Sequence, residues 1–166
     1  MPNYNGSMRI IDERNIQRRI AFLLNEAKSD NPAYDQVVRY ALRVISNFYS
    51  CGDDVSSSKA RLVNKHISRR ASDLRAEISD DKKWIKKVTN EHQEPLRQVW
   101  DRMIENKDTL TLEMIATWIS RWPMVVVTTC ENNWLREKAK MRPKGSFIDA
   151  EQRYRDVGIE VIRPVE

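Results

Sequence analysis

Apolar residues recur at helical spacing along most of the chain. Ile16, Ile20, Leu23, Leu24 and Ala27 step by threes and fours from Ile10 onward, and Arg14, Arg18 and Arg19 lie mostly off that stripe, which predicts an amphipathic helix. Ser29, Asp30, Asn31 and Pro32 end it and open the next, because proline is tolerated in a first turn. The second helix carries Val37, Val38, Tyr40, Ala41, Val44, Ile45 and Phe48, and Cys51-Gly52-Asp53-Asp54 closes it. It is apolar around much of its circumference and is expected to be the most buried element. Residues 55–78 read as one more helix. Ala60, Val63, Ile67, Ala71, Leu74 and Ile78 fall within about 80° of one another at roughly 100° per residue, and Arg61, Lys65, Arg69 and Arg75 gather in a second arc.

The pattern continues helically from Leu96 through Val99, Trp100, Met103 and Ile104, and again in TLTLEMIATWISRW, where Asp108 or Thr109 can cap and Met114, Ile115, Trp118 and Ile119 bury. It then changes period. PMVVVTT, residues 123–129, is short and β-branched, with a proline ahead of the run, which predicts a strand. Thr128 and Glu131 stand at capping-box spacing, so a helix holding Trp134 and Leu135 should follow directly. FIDAEQRYRDVG reads as a last helix with Gly158 near its C-cap, and IEVIRPV as a final strand. Pairing of the two strands, in parallel, is expected.

The fold class predicted is therefore α+β and predominantly α-helical. It is a helical bundle of five or six helices with a small C-terminal two-stranded β element around Val125–Val127 and Ile159–Ile162. A single domain over residues 1–166 is expected: a flexible lead-in over 1–9, a helical part over 10–122, and a strand-helix-helix-strand part over 123–166. The 166 residues, with only four glycines and six prolines, agree with one helical domain rather than a many-turned β fold.

Charge adds a second layer. The chain carries +5 overall, while residues 56–88 alone hold ten Lys and Arg against four Asp and Glu, an excess of +6. The asymmetry is thus local. Lys59, Arg61, Lys65, Arg69, Arg70, Arg75, Lys82, Lys83, Lys86 and Lys87 form a tract able to follow a phosphate backbone and release counterions. Trp84, if exposed among those lysines, could stack on an unpaired base. The competing interpretation is a solvated face with Trp84 turned inward beside Ile85 and Val88. Of the other tryptophans, Trp100 and Trp118 lie on apolar stripes, while Trp122 and Trp134 flank the predicted strand and would suit a protein contact if exposed.

Catalytic constellations are thin. Glu91-His92-Gln93-Glu94-Pro95 resembles the opening of the HNH nuclease motif, in which a histidine activates water beside a divalent metal. No histidine follows position 92, however, and the string reads equally as a helix start. In that reading Pro95 lies in the first turn of a helix over 95–105, Glu91 and Glu94 favour its positive end, and His92 lies in the connection. Arg61 and His66, four residues between them, resemble the motif of HEPN-domain ribonucleases. That resemblance implies an arginine offsetting phosphate charge and a histidine exchanging a proton with a 2′-hydroxyl. The position after the arginine is usually polar in that family and is Leu62 here. Asp53-Asp54, Asp80-Asp81 and Glu131 are conceivable magnesium ligands, but no set of them makes a recognisable metal site. Cys51 and Cys130 are too few for a disulfide framework or a zinc cluster. No phosphate-cradling glycine loop is present.

These observations lead to an expectation of nucleic-acid binding (DNA or RNA) through the basic tract, with no catalytic residue, metal or cofactor assigned; Arg61, His66 and His92 are the weak catalytic candidates. The rivals are a small inhibitor or adaptor whose charged helices dock on an acidic protein surface, and a helical ribonuclease using Arg61 and His66. Small basic helical chains of this type are common in phage and mobile elements. With no membrane-spanning apolar run and no signal-peptide core, a cytoplasmic location is expected.

Overall fold

The computed structural model describes residues 13–52 and 57–162; the expected lead-in over 1–9 and the Asp53-Asp54 pair lie outside them. The fold class is as expected, α+β and predominantly helical, with nine helices and one four-stranded sheet among the described residues.

Four helices build the first core. They are α1 (Glu13–Ala27), α2 (Gln36–Cys51), α6 (Leu96–Glu105) and α7 (Leu112–Ser120). Ile16, Ile20, Leu23, Leu42, Ile45, Trp100, Met103 and Ile115 interlock there with almost no exposure. Each such aliphatic side chain contributes about 1.5–3 kcal/mol on removal from water. As expected, α2 is the most buried helix, with eight buried residues. Asp35 starts it by accepting the Val38 N–H at 2.9 Å and Gly52 stops it at φ 78°, a left-handed conformation that residues with a Cβ rarely adopt.

The segment expected as one helix over 55–78 is broken. It forms α3 (Ser57–Val63), a two-residue strand β1 (Ile67–Ser68) and α4 (Arg69–Glu77). Asn64 is the reason. Its Nδ2 donates to the Met124 carbonyl at 2.9 Å, and its Oδ1 accepts the His66 N–H at 3.0 Å. A side chain that serves the backbone this way competes with helix continuation. Ser68 then caps α4 by accepting the Ala71 N–H. The expected stripe from Ala60 to Ile78 is therefore shared between two helices rather than lying along one.

After the short α5 (Asp81–Trp84) comes β2 (Val88–His92), an unanticipated strand. The expected strand is β3 (Met124–Thr128), followed by α8 (Thr129–Lys140), α9 (Ala150–Arg155) and β4 (Val161–Ile162). Thr128 and Glu131 form the expected capping box. The sheet order is β2-β3-β1-β4. β3 runs antiparallel to β2 from Val88↔Thr128 to His92↔Met124, and parallel to β1 at Ile67↔Val126, while β4 pairs antiparallel with β1. The two expected C-terminal strands thus do not pair with each other, because β1 lies between them.

Side chains alternate across the sheet, and both faces are covered. Val125 and Val127 pack with Leu135, Tyr154 and Ile159 on the α8–α9 side, and Val126 and Val88 pack with Ala71 and Trp84 on the α4–α5 side. Double coverage explains why β3 is a continuous apolar run. Bundle and sheet are joined where the Met124 N–H donates to Ser50 Oγ at 2.9 Å.

Candidate functional site

The cations of the predicted tract divide into two groups. One group serves the fold. Arg61 Nη1 donates to the Ile85 carbonyl at 2.7 Å, which holds α3 against the end of α5. Arg69 makes a two-pronged, exposed pair with Glu160 at 3.0 and 3.1 Å, Arg70 lies over the Trp134 ring at 5.0 Å, and Arg75 pairs with Asp81 and lies over Trp84 at 5.0 Å. Lys59 is half-buried. The other group is Lys65, Lys82, Lys83, Lys86 and Lys87, which are exposed and form no ion pair among the described residues. Trp84 is only 2% exposed, packed against Ala71, Val88 and Val126. It offers no face to a base, so the stacking role considered for it is corrected; burial won because the sheet face beneath needed an apolar cover. Trp134, by contrast, is 39% exposed.

The weak catalytic candidates are not brought together. Arg61 is on α3, and His66 lies beyond its end, leading into β1. His66 borders a depression shared with Arg121, Trp122 and Glu160, whereas Arg61 points its guanidinium at the α5 terminus. The single helix that would have carried both does not exist. His92 is the last residue of β2 rather than part of a connection, and Pro95 is the N-cap of α6. The His92 Nε2 is sealed from solvent without a hydrogen-bond partner among the described residues. Burial, then the charges of Arg153 and Arg43, push the His92 imidazole down to about 4, so it is neutral near pH 7. Among the described residues no group of three or more His, Cys, Asp or Glu could hold a metal ion. Asp80 caps α5 at the Lys83 N–H, and Glu131 is wholly buried in its capping box. Burial also pushes the Cys51 thiol up to about 11.

A second concentration of positive charge lies elsewhere, in a cleft of about 870 Å³ along β2. β2 is one of the two edge strands of the sheet. Thr89, Asn90, Glu91 and His92 form one side of the cleft. Arg39, Tyr40 and Arg43 come from α2, Arg97 from α6, Asn132 and Arg136 from α8, and Arg153 from α9. Five arginines thus face one acid, Glu91. That acid is already engaged: its Oε1 accepts from Arg153 Nη2 at 2.6 Å and its Oε2 from the Tyr154 hydroxyl at 2.6 Å. Burial, then the Glu91 charge, hold the Tyr154 hydroxyl well above the usual tyrosine range, so it stays a donor. Arg97 pairs with Asp101 at 2.9 Å. Arg39, Arg43 and Arg136 form no ion pair among the described residues.

Two tyrosines lie against three of the five cleft arginines. Arg39 and Arg97 lie 5.8 and 5.0 Å from the Tyr34 ring centre, and Arg19 and Arg43 each lie 5.3 Å from that of Tyr40. A guanidinium stacks by its face while its N–H donors lie in its plane, so stacking fixes the group without using its hydrogen bonds.

None of the five cleft arginines belongs to the tract that the sequence singles out. Their one local signal is Arg39-Tyr40 followed by Arg43, which puts two arginines at i, i+4 beside a tyrosine on one face of an otherwise apolar helix. The remainder come from helices more than fifty residues away and converge only through the fold. No helix among the described residues is long and apolar enough to cross a membrane. No protein-family model, no curated protein and no solved structure matches the chain.

Proposed function

We propose that the chain binds nucleic acid, mainly through phosphate contacts. The observation that carries this reading is the exposed lysine group, Lys65, Lys82, Lys83, Lys86 and Lys87, none of which forms an ion pair with a carboxylate of the described residues. Surface lysines without partners can each neutralise a phosphate, and the entropy of released counterions drives association. Such contacts position a strand and read little sequence.

The deciding experiment is a fluorescence-anisotropy titration with single- and double-stranded DNA and RNA at 50 and 200 mM salt. It compares wild type with a Lys82→Ala, Lys83→Ala, Lys86→Ala, Lys87→Ala variant. Removing four phosphate contacts should flatten the slope of log K against log salt by about three to four. Absence of binding by wild type at 50 mM salt would overturn the reading, and would direct attention to an acidic protein surface as the partner of the lysine face.

A further inference from the structure

The arginine cleft along β2 raises a question that the lysine face does not answer. Cations with no partner repel one another, and a fold gains nothing by gathering them. Burial is the main cause that keeps the His92 imidazole neutral, and the charges of Arg153 and Arg43 beside it act in the same direction. Arginines used only for solubility would be spread out and mobile. Here they come from four helices around one concave space, and Arg39, Arg43 and Arg97 each lie over a tyrosine ring.

We infer that this cleft is a binding site for adjacent phosphoryl groups, held between Arg39 and Arg43 of α2 on one side and Arg136 of α8 on the other. Three considerations select this ligand chemistry. The first is charge: with Glu91 bound to Arg153 and Arg97 bound to Asp101, Arg39, Arg43 and Arg136 are left for the ligand, which suits an anion of two or more charges better than a single carboxylate. The second is geometry, since a planar guanidinium presents paired donors that match two oxygens of one phosphoryl group. The third is size. About 870 Å³ lies within the range of small-molecule clefts and accommodates more than an isolated inorganic ion. Asn132 and Thr89 add uncharged polar groups to the cleft lining.

The same chemistry occurs in a nucleoside di- or triphosphate and in consecutive phosphodiesters of a strand. The site does not depend on the lysine face, so it stands or falls separately from the proposed function. Wild type and three variants test both: Arg43→Gln with Arg136→Gln, the lysine variant above, and Arg153→Gln as a fold-sensitive control. Circular dichroism melting verifies that each remains folded.

Inorganic tripolyphosphate, ATP and a fluorescent single-stranded oligonucleotide are titrated by calorimetry or anisotropy. The inference expects tripolyphosphate to bind wild type and the lysine variant alike, and to bind the Arg43→Gln, Arg136→Gln variant at least tenfold more weakly. If tripolyphosphate also competes the oligonucleotide off wild type, the occupant is the phosphodiester backbone. If ATP binds at the cleft while oligonucleotide binding ignores the cleft substitutions, the occupant is a free nucleotide. Failure of wild type to bind tripolyphosphate overturns the inference, as does equal binding by a folded cleft variant, whatever the lysine variant does with nucleic acid.

Discussion

Arg153 and Glu91 meet at 2.6 Å beside the edge strand β2, with both side chains about nine-tenths buried. The contact links α9 to β2, and Arg153 extends it by donating from Nη1 to the His92 and Gln93 carbonyls at 3.0 and 3.1 Å. Arg153 thus closes the end of the strand where pairing with β3 stops. Removing one member of a buried pair leaves the other charge uncompensated. Arg153→Ala should therefore cost about 3–5 kcal/mol in urea unfolding. Tyr154→Phe, which removes one hydrogen bond to Glu91, should cost about 1–2 kcal/mol. Equal losses for the two would mean that Arg153 acts by packing alone.

Acid should weaken the fold through His92. Its imidazole titrates near 4 in the folded chain, against about 6.5 when unfolded. A histidine with a lowered folded value is protonated first in the unfolded state. Its contribution is therefore fully present above about pH 6.5 and is lost progressively as pH falls toward 4. The span amounts to about 3 kcal/mol. Chemical denaturation at pH 7.0, 5.5 and 4.5 checks this: His92→Gln should show a shallower fall than wild type over that window. Parallel curves would show that His92 is accommodated as a cation.

The Glu131 carboxylate ties three segments together. Its Oε2 accepts from Ser68 Oγ at 2.7 Å and from the Thr128 N–H at 2.8 Å, and Ser68 Oγ also accepts the Ala71 N–H. Ser68→Ala removes a helix cap and a buried donor at once, and should cost about 2 kcal/mol. Combined with Glu131→Ala the loss should be clearly less than additive, because the two changes delete one shared interaction. Thermal melts of the two single variants and the double variant make the comparison.

The thiols should differ sharply. Cys130 is exposed, while Cys51 is half-buried with a thiol pushed up to about 11 by burial. At pH 8, where thiolate is the reactive form, alkylation followed by mass spectrometry should modify Cys130 well before Cys51. Labelling at similar rates would mean that the C-terminal turn of α2 opens readily.

What could be read directly from the chain was whatever rests on local periodicity. The bundle helices, β3, its capping box and the Gly158 turn all announce themselves in spacing. β2 does not, because three of its five residues are Asn90, Glu91 and His92. An outer strand needs apolar side chains only where a layer covers it, and here polar side chains border the cleft. The break at Asn64 was hidden for a related reason. Ala60, Val63, Ile67 and Ala71 keep helical spacing by coincidence, while the residue that interrupts the helix does so through a bond to Met124, sixty positions away. The arginine cleft was invisible on the same ground, since its members share no stretch of sequence.

The order of segments has a consequence for how the chain takes shape during synthesis. α1 and α2 come before the segment holding β1 and β2, while α6 and α7 come after it, so the bundle closes around an insertion whose own partner strand, β3, has not yet been made. When residue 120 has emerged, the four-helix core has all its parts. β1 and β2 must then wait beside it with unpaired edges until β3 slots between them. That interval, rather than the finished fold, is when strand edges are most open to association with other chains.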